Sequence, residues 1–166
     1  MGVHQHRQAA PTSVDMGILS VSTTRTIEND ESGLWIARQA KKEGHQVRFH
    51  QVVTDDITII RDASLKAIRD HGLLALLVTG GTGITPTDVT IEAIKPLFTK
   101  EMTAFGAIFA QLSYEEIDSA AILSRAAAGV IGSTVVYCMP GSTKACQLAC
   151  KALIFPELGH VVAHIK

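Results

Sequence analysis

Between Val78 and Ile94 the chain reads VTGGTGITPTDVTIEAI, a stretch of bare backbone and hydroxyls with one aspartate, set between an apolar run and the start of a helix. Ordering glycine costs conformational entropy, so Gly80, Gly81 and Gly83 together point to a place where something must approach the main chain closely. Free N–H groups between a strand end and a helix start suit anions, above all phosphate. Two other strings have the same make-up: TTRTIENDESG (23–33) and MPGSTKA (139–145) each combine Gly with Ser or Thr after an apolar run. The central loop is neither standard nucleotide motif. No lysine follows its glycines as GxxxxGK[ST] requires, and counting GxGxxG from Gly81 puts Pro86 at the third glycine. A tight turn with Thr90 capping the next helix would use the same residues.

Carboxylates follow two of the strand-like runs. Asp88 lies just past the Gly-rich loop, and Asp55 and Asp56 lie just past the run ending at Val53. If those strands are neighbours, Asp55 and Asp88 approach one cleft. Mg²⁺ is held by one or two carboxylates together with substrate phosphates, so this pair beside a phosphate loop fits a metal-assisted nucleotide site. Taken singly, each aspartate could equally serve a helix N-terminus through the dipole. Arg25 and Lys144 are the cations nearest the loops, and each is either a phosphate ligand or a solvated charge. His4 and His6 form an HxH near the N-terminus, too few ligands to make a metal site by themselves. Cys138, Cys146 and Cys150 lack CxxC spacing and read as small buried hydrophobes of a cytoplasmic protein.

The elements that must position these loops alternate. Residues 17–22, 46–53, 73–79 and 133–139 read as strands, and the run LLALLVT suits a central parallel strand buried on both faces. Helical periodicity covers 32–45, 55–72, 90–98 and 141–155, with Gly44 and Gly72 as stops and Pro96 and Pro156 as breaks. Residues 101–131 read as mostly helical, and GHVVAHI (159–165) as a last edge strand. The alternation predicts an α/β three-layer sandwich, with a mainly parallel sheet and helices on both faces. In such a fold ligands bind outside the carboxyl ends of the strands, which is where all three loops lie.

The 166 residues fit one domain, read as 16–166 behind a flexible tail at 1–15. The tail lacks the apolar stretch of a signal peptide. A net charge of −1 gives no basic field for nucleic acid, and no apolar run approaches a membrane span.

The three strings in order, VTGGTGITPTDVT, LSYEEIDSAAILSRAAAG and MPGSTKA, resemble the molybdenum-cofactor biosynthesis proteins of the MoaB/MogA type, and the chain is similar to the gephyrin pterin-binding domain. The resemblance runs from about Met16 to the C-terminus. It implies a trimer or a dimer of trimers, and adenylylation of molybdopterin by ATP with Mg²⁺, releasing pyrophosphate. It also implies delivery of the product to a downstream metal-insertion protein. Residue by residue, it implies catalytic, metal-associated roles for Asp88 and Asp55. It implies substrate contacts for Ser32, Gly33, Gly80, Gly81, Thr82, Gly83, Ser124, Pro140, Gly141 and Ser142. Four positions depart from the pattern many relatives show: Thr23 replaces an aspartate, Thr87 a cation, and Ala107 and Ala110 a charged pair. A non-catalytic pterin-binding scaffold is the competing reading. A generic nucleotide-binding α/β domain would explain one loop but not three in order.

Overall fold

The computed structural model describes residues 10–165. Six strands form one sheet: β1 (Asp15–Val21), β2 (Gln46–Val53), β3 (Ala75–Thr79), β4 (Lys100–Glu101), β5 (Ala127–Ile131) and β6 (Thr134–Met139). Their order is β2-β1-β3-β6-β5-β4. The first four neighbours run parallel, and β5 and β4 close the far edge antiparallel. The helices are α1 (Glu31–Lys42), α2 (Ile57–His71), α3 (Thr90–Ile94), α4 (Thr103–Ile117), α5 (Thr143–Ala149) and α6 (Leu158–Ile165).

The strand pleat sorts the core into two halves. Met16 and Ile18 of β1, Leu77 of β3 and Val135 and Tyr137 of β6 face one side, where they meet Ile36 of α1, Phe109 of α4, Cys146 of α5 and Val162 of α6. The alternate residues Leu19, Leu76, Val78 and Val136 face the other side and meet Ile60 of α2 and Ile94 of α3. All five residues of β3 are buried, as its continuous apolar run requires of a strand covered on both faces. The result is the expected three-layer sandwich.

Two segments differ from the sequence reading. Within the stretch read as helical, AAGVI forms β5. It turns through Gly132 (φ +60°) and Ser133 into β6, with Ile131 opposite Thr134. Two-residue hairpins favour a residue at positive φ, and glycine adopts that conformation without steric cost. The GHVVAHI segment is helical rather than an edge strand, because Leu158 and Val162, four residues apart, are both buried against the core. The N-terminal boundary also shifts. The first nine residues of the expected tail lie outside the described residues, but Val14 is fully buried and Asp15 opens β1. No single helix among the described residues is long and apolar enough to cross a membrane.

Candidate functional site

The three loops leave the carboxyl ends of β1, β3 and β6, three adjacent parallel strands, and converge on one cleft. This cleft has a volume of about 290 Å³ and is lined by Ser22, Arg25, Gly80 to Gly83, Asp88, Pro140 and Gly141. The Gly-rich loop and the PG loop touch directly: a Cβ on Gly141 would lie 3.0 Å from the Gly80 Cα. Gly80 and Gly81 adopt φ of +94° and +62°, and a Cβ on Gly80 would fall 2.3 Å from the Val21 carbonyl oxygen. Glycine is therefore required at Gly80 both by the backbone conformation and by the close approach of β1.

Thr90 does not cap α3 with its side chain. It is the first residue of that helix, and its hydroxyl donates to the Gly80 carbonyl at 2.7 Å, while its N–H donates to the Gly81 carbonyl. Both bonds fix the curl of the loop.

Asp55 and Asp88 stand on either side of this loop. A Cβ on Gly81 would lie 3.2 Å from Asp55 Oδ1, and one on Gly83 would lie 2.7 Å from Asp88 Oδ2. Asp55 accepts a 2.7 Å hydrogen bond from Thr23, the position where the resemblance implies an aspartate. A neutral donor there orients the carboxylate, where a second acid would repel it. Asp88 Oδ2 accepts from the Thr85 N–H at 2.9 Å and the Thr85 hydroxyl at 2.6 Å. The hydroxyl bond is the main reason its pKa is lowered; partial burial works the other way, while backbone N–H groups and Arg125 add to the lowering. Asp88 is thus held as an anion. Asp56 does serve a helix start, accepting from the Ile59 N–H as the N-cap of α2.

Asp88 lines the cleft, whereas Asp55 is not among its lining residues and approaches the loop at Gly81; both carboxylates are oxygen donors of the kind Mg²⁺ takes together with phosphate. The residues present therefore fit that ion.

The other residues implied by the resemblance divide into three groups. Gly80, Gly81, Thr82, Gly83, Pro140 and Gly141 line the cleft. Ser124 and Ser142 line a neighbouring cavity of about 280 Å³ on the far side of the PG loop, shared with Pro140, Ser113 and Lys144. Ser142 is also the N-cap of α5, accepting from the Ala145 N–H at 3.2 Å. Ser32 and Gly33 are buried behind the cleft. The Ser32 hydroxyl donates to the Gly141 carbonyl at 2.7 Å and clasps the first loop to the third. A Cβ on Gly33 would collide with Asp30 and His50.

Three further residues shape the site. Asp30, fully buried, accepts from the Ser20 hydroxyl, the Gly33 N–H and His50 Nε2. Burial alone would raise its pKa, but the bonds from His50, Ser20 and Gly33 outweigh it and keep the carboxyl below the ordinary range. Arg25 reaches from the rim to the Gly141 carbonyl at 3.2 Å and lies 3.8 Å from Asp30. Arg125 binds the Gly-rich loop from behind. It donates from Nε to the Thr82 and Gly83 carbonyls, both at 3.0 Å, and pairs with Glu92. It adjoins Ser124 in the string LSR, and a guanidinium beside a flexible loop was the available signal. The remaining departures lie elsewhere. The Thr87 hydroxyl meets that of Thr85 at 3.1 Å, and Ala107 and Ala110 are exposed on α4, away from the cleft.

Comparison with known proteins matches residues 17–160 to the family described as "Probable molybdopterin binding domain". Molybdenum cofactor biosynthesis protein B of Bacillus subtilis (strain 168) is 47% identical, covering 100% of this chain and 98% of that protein. A crystal structure of a molybdenum cofactor biosynthesis protein B superposes with a TM-score of 0.91 at 44% identity, over 94% of this chain and 98% of the other. The tungsten cofactor synthesizing protein MoaB from Pyrococcus furiosus superposes with a TM-score of 0.84 at 36% identity, over 93% and 98% of the two chains. Fold and sequence thus agree over nearly the whole chain, and the chain is a member of the molybdopterin-binding family of molybdenum cofactor biosynthesis proteins.

Proposed function

We infer that this protein is a molybdopterin adenylyltransferase, using ATP with Mg²⁺. The observation that carries the reading is a Gly-rich anion loop flanked by two carboxylates, one of them held ionised. A phosphate oxygen of molybdopterin attacks the α-phosphorus of ATP. The new P–O bond forms as the bond to the β-phosphate oxygen breaks, and pyrophosphate leaves. The nucleophile belongs to the substrate, so the protein's work is positioning and charge compensation. The Gly80 N–H is spent on the Met139 carbonyl and the Gly83 N–H on Asp88, so the N–H groups of Gly81 and Thr82 are the ones that would hold a phosphate, and Arg25 supplies positive charge at the rim. Asp55 and Asp88 would hold the ion. Bound there, Mg²⁺ would supply charge neutralisation on the phosphates and the departing pyrophosphate.

The test is incubation of the purified chain with molybdopterin, ATP and Mg²⁺, with pyrophosphate release as the readout. Pterin binding without release would favour the scaffold reading. The working form on this reading is a trimer or a dimer of trimers. Ile108, Tyr114, Ile117, Ile122 and Leu123 expose apolar surface on α4 and the turn after it, and Ile122 is 84% exposed. An apolar patch of this kind marks an interaction surface. Hand-over to a downstream metal-insertion protein completes the proposal.

A further inference from the structure

A second cluster of metal-ligating side chains lies away from the cleft, on α6. His160 and His164 are four residues apart on one helical face, and their Nε2 atoms are hydrogen-bonded to each other at 3.0 Å, a bond that a shared ion would replace. Borderline transition metals sit about 2.0–2.1 Å from imidazole nitrogen, so two nitrogens bound to one ion lie roughly 2.9–3.4 Å apart for angles from square to tetrahedral. The observed separation falls in that range. The second shell is also present. Glu157 Oε2 lies 3.0 Å from His160 Nδ1, so that ring donates from Nδ1 and presents the Nε2 lone pair to its neighbour. His164 is exposed and His160 is partly so, which leaves an open path from solvent.

We propose that His160 and His164 form a bidentate site for a borderline divalent transition-metal ion such as Ni²⁺ or Zn²⁺, with Glu157 orienting the first ligand. Among the described residues no group of three or more His, Cys, Asp and Glu side chains is set to hold a metal, so the two imidazoles are the described ligands of the site. The site is chemically distinct from the carboxylate pair at the cleft. Hard Mg²⁺ takes oxygen ligands, whereas imidazole selects Ni²⁺, Cu²⁺ and Zn²⁺.

The experiment is calorimetric titration of the full, tag-free, chelator-stripped chain with Ni²⁺ and with Zn²⁺. Parallel titrations use His160→Ala, His164→Ala, Glu157→Gln and the double variant His4→Ala/His6→Ala. Circular dichroism checks that each variant is folded. One ion per chain is expected. Either helix substitution should weaken binding at least about tenfold, and Glu157→Gln should also weaken it, as loss of an outer-shell partner does. Equal binding by the parent and both helix variants would overturn the proposal, as would no binding by the parent. So would loss of binding confined to the His4/His6 variant, which would assign the ion to the N-terminal histidines alone.

Discussion

At the scale of single residues, the charge on Asp88 is the sharpest test of the proposed reaction. Asp88→Asn keeps the size and the acceptor for Thr85 but removes the anion. The expected outcome is near-normal molybdopterin binding with pyrophosphate release lowered by roughly a hundredfold or more, as for loss of a charge stabiliser of the transition state. Turnover equal to the parent at saturating Mg²⁺ would leave Asp88 a loop-shaping residue only. A second residue controls stability instead. His45 is buried beside Phe155, and its Nδ1 has no hydrogen-bond partner among the described residues. Burial lowers its pKa from the ordinary 6.5, against a small opposing pull from Glu43. The unfolded chain therefore takes up a proton near pH 6.5 that the folded chain refuses until lower pH. This contribution to stability is present above that value and is lost as pH falls through the lowered folded value. Urea midpoints should drop between pH 7 and pH 5, and His45→Leu should show a shallower drop.

At the scale of elements, the loop after β3 depends on a backbone conformation that alanine tolerates poorly. Gly80→Ala should cost about 1–3 kcal/mol from the positive φ alone, and more from the clash with the Val21 carbonyl. Thermal denaturation should show a lowered midpoint, and a midpoint equal to the parent's would show that the loop can relax. The sequence displayed this loop clearly because glycine has few other reasons to cluster. The strands 46–53 and 73–79 were equally legible, one alternating and the other continuously apolar. The hairpin that builds β5 was not. Its alanines carry little preference, and AAILSRAAAG matches helix composition better than strand. Only pairing with β6 and the turn at Gly132 decide it. The helix α6 failed in the opposite sense: VVAHI is β-branched, but helical spacing buries Leu158 and Val162 together against the core, which an alternating strand would not do. At the site, the loop glycines and Asp88 could be read directly. Arg125 and the Asp30–His50 pair could not, because their roles come from contacts 20 to 43 residues distant in sequence.

At the scale of the whole molecule, the apolar face on α4 and the following turn should be covered in solution. Light scattering at micromolar concentrations should report the mass of a trimer or of twice a trimer. Ile122→Asp, which places a charge at the most exposed of these side chains, should shift the mass towards that of a monomer. The core offers another readout. Cys138, Cys146 and Cys150 are free and buried, and burial pushes the thiols of Cys138 and Cys146 up to about 12 and about 11. Because the thiolate is the reactive form, all three are masked from alkylating reagents while the fold is closed. Cys138 lies in β6 at the centre of the sheet, whereas the Cys146 sulfur rests against the Thr79 hydroxyl and the Pro140 carbonyl, directly beneath the PG loop. The chain thus carries two built-in clocks for its own opening. Alkylation of Cys146 should time the lifting of the cleft floor, and alkylation of Cys138 the parting of the sheet. If the cleft opens as an independent unit, mass spectrometry should find the first label on Cys146 well before Cys138 is touched, and a ligand that closes the cleft should slow only the faster clock.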